Sequence, residues 1–263
     1  MKGFATRKGL AVIRLKNDAQ VSKIRESCIL LSRLYAELRP RIVEGVATIE
    51  LDRFAYSFIT RNGGKPAFLH YGDDANPFPA SLCVSINEEV IHGIPGKRII
   101  QPGDVVGIDC GIDLADYFSD AAFSVAVPPV SSGTERLLRV TRECLDKAIA
   151  AVRPGARVHD VSRAVFAHAR ANGYGVVRQY CGHGVGFSQH EDPQVPNYVS
   201  SGPNPRLVPG MVLAIEPMIN AGGDGVTVLD DGWTVVTLDR SVSAHFEHSV
   251  VVTTSGAEVL TYW

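Results

Sequence analysis

The chain has 263 residues, 45% of them apolar and 21% charged, with a formal net charge of −2. This size suits one large domain or two small ones, and the near-zero charge leaves no electrostatic footprint for nucleic acid or an anionic membrane. No apolar run approaches the roughly 20 residues of a transmembrane helix, and the segment Met1–Arg7 lacks the apolar stretch of a secretory signal.

Residues 18–40 read as an amphipathic helix, because Val21, Ile24, Cys28, Leu31, Leu34 and Leu38 recur at three- and four-residue steps. Pro40 and Gly45 close it. A second helix is predicted from Thr48, as N-cap, to Arg61, with Leu51, Phe54, Ala55, Phe58 and Ile59 on its apolar face and Asn62-Gly63-Gly64 as its stop. Strands rich in Val, Ile and Phe follow at 81–87, 105–113 and 117–127. Next comes a helix over 134–152, broken by Pro154-Gly155, and a shorter one over 160–171 that stops at Asn172-Gly173. Further strands are predicted at 176–181, 211–219, 225–229, 233–238 and 244–253, and the proline-rich stretch 192–209 reads as a surface loop. Cys28, Cys83, Cys110, Cys144 and Cys181 are odd in number, form no Cys-x-x-Cys pair and lie in apolar contexts, so buried thiols in a reducing cytoplasm are expected.

The order of helices before strands occurs twice, and the sequence itself repeats. Pro102-Gly103-Asp104-Val105-Val106-Gly107-Ile108-Asp109 matches Pro209-Gly210-Met211-Val212-Leu213-Ala214-Ile215-Glu216, 107 positions on. Gly45, Glu50, Leu51, Arg53, Asn62 and Gly63 match Gly155, Asp160, Val161, Arg163, Asn172 and Gly173 at a spacing of 110. Two copies are too few for a solenoid. The expected architecture is α+β: a single pseudo-symmetric domain over 1–263, with halves of about 1–128 and 129–263 and helices on one face of a largely antiparallel sheet.

In each octapeptide a turn feeds an apolar strand that ends on a carboxylate, Asp109 or Glu216. Burying such an acid is costly unless a cation or donor meets it. A hairpin turning near Leu114-Ala115 makes Asp120 a same-face neighbour of Asp109. Either acid alone is explained by an arginine partner or a turn cap. Glu247 is a further acid in an aromatic and β-branched strand, and His183 sits between glycines in Cys181-Gly182-His183-Gly184. A lone His in such a place is more often a satisfied core residue; beside four strand-borne acids it reads as a ligand. One imidazole with four carboxylates carries too much negative charge for one buried ion. Two divalent cations bridged by two carboxylates fit better, with Mn²⁺, Fe²⁺, Co²⁺ or Zn²⁺ all suited to the donors. Paired metals about 3.5–4 Å apart activate water at neutral pH. A hydrolase of this kind needs donors at the carbonyl oxygen and the leaving nitrogen. His92 and His190 are the histidines in the most distinctive contexts for that work, whereas His245 and His248 flank Glu247 and read as strand neighbours or supporting groups.

These segments closely resemble the type I methionine aminopeptidases of the pita-bread metallopeptidase fold. The resemblance is carried by Cys83-Val84-Ser85-Ile86-Asn87-Glu88-Glu89-Val90-Ile91-His92-Gly93-Ile94-Pro95, the Asp109/Asp120 pair, Cys181-Gly182-His183-Gly184-Val185-Gly186, His190-Glu191-Asp192-Pro193, Ile215-Glu216-Pro217-Met218 and Phe246-Glu247-His248, in the expected order over nearly the whole chain. It implies that Asp120 and Glu247 bridge both metals, that Asp109 completes one ion, and that His183 and Glu216 complete the other. It further implies that Glu216 is the general base, that His190 stabilises the tetrahedral intermediate, and that His92 contacts the scissile amide. Phe78, Cys83 and Trp233 stand where the family lines its methionine pocket. Gln189 stands near the same wall, where relatives usually carry Phe, Leu or Met, and the segment 71–78 is longer than usual. The implied substrate is the N-terminal Met of nascent chains and peptides with a small second residue, met by a cytoplasmic monomer in transient contact with the ribosome. The rival readings are an Xaa-Pro aminopeptidase or prolidase, a non-catalytic binding protein that reuses the fold, and a carboxylate-metal oxygenase. The first spaces its second-half histidines differently. The second usually loses ligands that are present here. The third expects two histidines and one acid.

Overall fold

The computed structural model describes residues 12–263, and the segment Met1–Arg7 lies outside the described residues. Helix α1 (Asp18–Leu38) begins where Asn17 can cap it: the Asn17 side chain accepts from Gln20 N–H and the Gln20 side chain accepts from Asn17 N–H. Two donors that the first turn would leave orphaned are thereby satisfied. The helix buries the predicted stripe of Ile24, Cys28, Leu31, Leu34 and Leu38. In α2 (Thr48–Arg61) the cap differs from expectation. Ala47 is the N-cap, its N–H given to the Glu50 carboxylate at 3.2 Å, because the Thr48 hydroxyl is engaged with the backbone of Gly96 instead.

The first half continues with β1 (Lys65–Pro66), β2 (Cys83–Ile86), β3 (Glu89–Ile91), β4 (Val105–Leu114) and β5 (Tyr117–Ala126). The β4–β5 hairpin closes on Ala115-Asp116, both at positive φ, the primed geometry that matches strand twist. The second half holds α3 (Ser132–Ala151), α4 (Val158–Ala171), β6 (Gly175–Val176), β7 (Gly182–Gly184), β8 (Glu191–Val195), β9 (Val212–Ile215), β10 (Met218–Asn220), β11 (Val226–Val228), β12 (Val235–Thr237), β13 (Ser243–His245), β14 (His248–Val252) and β15 (Ala257–Val259). The pairings of these strands are antiparallel.

The repeat is structural. β4 lies between β2 and β5, and β9 lies between β7 and β14. The turn glycines that enter β4 and β9, Gly103 and Gly210, share φ values of +87° and +90°, a region open to Gly at little cost. One apolar core joins the halves. Leu31, Leu34, Tyr35 and Leu51 from the first helix pair and Leu137, Leu145, Val161 and Val165 from the second close over Ile108, Phe123, Leu213 and Ile215 of the sheets. Ser27 of α1 donates to the Ile112 carbonyl at 3.0 Å and the Tyr35 hydroxyl donates to the Ala121 carbonyl, pinning the helix to the hairpin.

Two predicted strands are interrupted. The run 211–219 splits into β9 and β10 at Glu216-Pro217, and the run 244–253 splits into β13 and β14 at Phe246-Glu247. At both breaks the chain leaves one sheet for another. The predicted strand 176–181 shrinks to β6, and the first residues of the predicted loop 192–209 belong to β8.

Candidate metal centre

The β4–β5 register sets Asp109 opposite Ala122 and Asp120 opposite Gly111. The two acids are therefore diagonal neighbours on one face, not a direct pair. Glu216 and Glu247 occupy the two breaks, which face each other: Ile215 is opposite His248 on one side, and Met218 is opposite His245 on the other. Glu247 also exchanges backbone hydrogen bonds with Ala122, at 2.8 and 3.4 Å, and so ties β5 to the second half at the site itself. His183 lies in β7, where a Cβ on Gly182 or Gly184 would come within 2.4 Å of a neighbouring backbone oxygen. Glycine on both sides lets the adjoining strands close tightly around the imidazole.

Ligand atoms of Asp120, His183 and Glu247 lie within 4.8 Å of one another. His183 Nε2 is 3.5 Å from Asp120 Oδ2 and 3.6 Å from Glu216 Oε1. Its Nδ1 faces the Gly184 carbonyl at 2.9 Å, the contact that assigns the proton to Nδ1 and leaves Nε2 free to ligate. One oxygen each of Asp109, Asp120 and Glu247 is buried with no hydrogen-bond partner in the protein. An orphaned buried acceptor costs about 1–3 kcal/mol, and more if charged. A divalent cation meets that need, and one imidazole with carboxylate oxygens is a donor set that such an ion accepts.

The acids also sense one another. Burial pushes Asp109 up to about 7, with His245 opposing and Glu216 adding to the rise. Burial, then Asp109 and Glu216, push Asp120 well above the carboxylate range. Burial, then Asp120, Glu216 and Asp109, do the same to Glu247. Glu216 goes the other way: burial pushes it up, but His245, His183 and His92 outweigh that and hold it below its usual value.

His92 and His190 complete the surroundings. Burial pushes His92 down to about 4, and burial with His183 and His92 pushes His190 well below the imidazole range. Both are therefore neutral at neutral pH. His92 has a φ of 59°, a left-handed backbone that costs about 1–3 kcal/mol in a non-glycine residue. The next residue, Gly93, has no room for a side chain, since a Cβ would sit 2.3 Å from the Val84 oxygen. The His190 ring lies 4.3 Å from that of His183. The turn before it is anchored by Glu191, whose carboxylate accepts Phe187 N–H, Ser188 N–H and the buried Lys16 ammonium.

An apolar cluster adjoins these histidines. Phe68, Phe78, Ala80 and Cys83 are buried together, with Tyr71, Ile94 and Trp233 packed against them. Trp233 meets Phe78 edge-on at 5.2 Å and His92 at 6.2 Å, and Tyr71 lies 5.0 Å from His190. The long 71–78 segment helps build this wall: the Trp233 indole donates to the Asn76 carbonyl at 3.1 Å. Phe78, Cys83 and Trp233 thus lie together in one cluster, whereas Gln189 turns its amide to Asp120.

Sequence reasoning missed Phe68, Tyr71 and Ile94, although Phe68 and Tyr71 enrich the same segment as Phe78 in aromatics. It also grouped His245 with His248, and the structure separates them. His245 Nε2 is 3.6 Å from Glu216 Oε2, while His248 bonds Thr261 at 3.0 Å and stacks on Trp263.

A sequence profile of metallopeptidase family M24 matches residues 22–254. The methionine aminopeptidase of Treponema pallidum is 52% identical over 251 residues, 95% of this chain and 96% of that protein. The methionine aminopeptidase of Borreliella burgdorferi is 47% identical over 241 residues, 91% of this chain and 94% of that protein. The crystal structure of a methionine aminopeptidase from Thermotoga maritima superposes with a TM-score of 0.91 at 40% identity, covering 96% of this chain and 100% of the other.

Proposed function

The chain belongs to metallopeptidase family M24, and we propose that it is a type I methionine aminopeptidase with a dinuclear site of the pita-bread kind. It is a metal-dependent exopeptidase that removes the N-terminal Met from proteins and peptides with a small second residue. The observation that carries the site assignment is the meeting of Asp120, His183 and Glu247 within 4.8 Å, among orphaned acid oxygens. In this reading Asp109, Asp120, His183, Glu216 and Glu247 would hold two divalent ions, with Asp120 and Glu247 the ligands they would share, Asp109 serving one and His183 with Glu216 the other. Mn²⁺, Fe²⁺, Co²⁺ and Zn²⁺ all suit these donors.

Divalent ions held there supply Lewis acidity and a water that is nucleophilic at neutral pH. Glu216, held in its ionised form by its histidines, accepts the proton of the attacking water and passes it to the leaving nitrogen. Neutral His190 donates an N–H to the oxygen that gains charge as the carbonyl is attacked. Neutral His92 contacts the scissile amide. The C–N bond breaks, releasing Met and the shortened chain. The Met side chain enters the cluster of Phe68, Phe78, Cys83, Tyr71 and Trp233, whose apolar and aromatic surface suits a thioether. The free α-amine of the substrate faces the acids, so only chain ends are cleaved.

No described helix is long and apolar enough to cross a membrane. We place the protein in the cytoplasm as a monomer acting on nascent chains, in transient contact with the ribosome. The deciding experiment is Met release from Met-Ala-Ser and Met-Pro peptides by metal-stripped enzyme reloaded with each ion, with Xaa-Pro dipeptides as the comparison. Met release that depends on the added ion supports the reading. Cleavage confined to the Xaa-Pro dipeptides, or no cleavage with any ion, overturns it.

A further inference from the structure

Gln189 is 4% exposed and its side chain reaches into the acid cluster. Its Nε2 donates to Asp120 Oδ2. With Asp120 ionised, as it would be with a cation bound, the amide cannot sit the other way round, because Oε1 against a carboxylate oxygen would oppose two acceptors. Oε1 itself is buried without a partner. The amide lies over Gly111, the residue directly across the ladder from Asp120. A Cβ at Gly111 would come within 2.5 Å of Oε1 and 2.7 Å of Nε2. Half an amide left unpaired costs about 1–3 kcal/mol. Packing alone therefore gives no reason for a polar side chain here, since an apolar one of the same size would fill the space without that penalty.

We propose that Gln189 is a positioning residue of the metal centre: its N–H fixes the rotation of the Asp120 carboxylate, and so which oxygen meets each cation, while Gly111 is the notch that admits the amide. Oδ2, the oxygen that Gln189 holds, is the one 3.5 Å from His183 Nε2, and Oδ1 is the orphan. A carboxylate oxygen has two lone pairs, so Oδ2 can accept this N–H and still ligate. The amide thereby holds Oδ2 on the His183 side, where an ion held by that imidazole would meet it, and leaves Oδ1 for a second ion. The backbone that carries Gln189 is held firmly enough for this task, because Glu191 ties down Phe187, Ser188 and Lys16. The inference rests on the metal-centre reading given above. Groups that orient a metal ligand are worth about 10- to 100-fold in metal affinity.

The test uses the full chain, stripped of metal and titrated calorimetrically with Mn²⁺, with Co²⁺ visible absorption as the readout of coordination. Gln189→Met keeps the volume and removes the donor. It should bind Mn²⁺ about 10- to 100-fold more weakly and shift the Co²⁺ bands, with unchanged circular dichroism. Gly111→Ala alters no ligand but displaces the amide, and should produce the same weakening. The double variant should be no weaker than the weaker single one, because both remove one contact. Wild-type Mn²⁺ affinity and Co²⁺ spectra in both single variants would overturn the proposal while leaving the metal centre intact. Failure of the wild-type chain to bind either ion would overturn the metal-centre reading, and this proposal with it. Should Gln189→Met not fold, Gly111→Ala decides alone.

Discussion

His245 Nε2 stands 3.6 Å from Glu216 Oε2, and His183 Nε2 stands 3.6 Å from the other oxygen of the same carboxylate. Glu216 is thus held low by imidazoles, while Asp109, Asp120 and Glu247 are pushed up by burial and by one another. One cavity therefore contains an ionised base and three acids that hold their protons unless a cation takes their place.

Glu216→Gln keeps the shape of the side chain and removes its basicity. Turnover of Met-Ala-Ser should fall by about 10²–10⁴-fold, with the circular dichroism spectrum unchanged. Near-normal kcat would take the base role away from Glu216.

The metal-free protein should lose stability as pH rises from about 6.5 to about 7. Asp109 shifts from 3.8 up to about 7, and Asp120 and Glu247 shift the same way. Between the unfolded and folded values only the folded form holds these protons, so stability falls as pH climbs through that window. The buried histidines act oppositely at lower pH. His92 and His248 drop from 6.5 to about 4, so between those values the unfolded form holds the extra protons and stability rises with pH. Above 6.5 the histidines no longer contribute, and Asp109, with Asp120 and Glu247 shifted the same way, sets the slope. Urea midpoints of metal-free protein should be lower at about pH 7.5 than at about pH 6.5, and saturating Mn²⁺ should abolish the difference. A flat or rising metal-free profile would contradict this.

Lys16→Met should destabilise the fold by about 3 kcal/mol. The Lys16–Glu191 pair is buried, at 2.7 Å, and without it the buried Glu191 keeps only half-exposed Arg14, at 3.1 Å, and the N–H groups of Phe187 and Ser188. The anchored turn also carries Gln189 and His190, so kcat should drop as well. Urea unfolding reads the first effect and Met release the second; a shift below about 0.5 kcal/mol would class the pair with surface ion pairs.

Trp233→Ala opens the wall shared by Phe78 and His92. Burial of a Met side chain is worth about 1.5–3 kcal/mol, so kcat/KM for Met peptides should fall by about 10- to 100-fold while Mn²⁺ affinity holds. Loss of metal binding in this variant would mean that the indole supports the centre rather than the substrate.

Much of this was legible because it depends on local rules. The stripe from Ile24 to Leu38 specifies α1, and the Pro-Gly turns at 102–103 and 209–210 announce the strands that deliver Asp109 and Glu216. The breaks at Glu216-Pro217 and Phe246-Glu247 were not legible, because the β-branched runs around them read as continuous strands and only the change of sheet partner interrupts them. Pro217 was the available hint, as proline is poorly placed inside a ladder. Thr48 has a capping side chain, yet Gly96, distant in sequence, claims its hydroxyl. The direction of the Gln189 amide depends on the empty space above Gly111, which no periodicity reports.

The bridge between Ala122 and Glu247 crosses the seam between the two repeats. Asp109 and Asp120 lie on one side of it, and His183, Glu216 and Glu247 on the other. With the ligands proposed above, neither repeat would own a complete coordination sphere, and a bound ion would act as a rivet through both. A chain nicked in the connection from β5 to α3 would keep its pieces together by ligation as well as by their shared core. Chelation would loosen such a clasped pair far more than it would loosen the uncut protein.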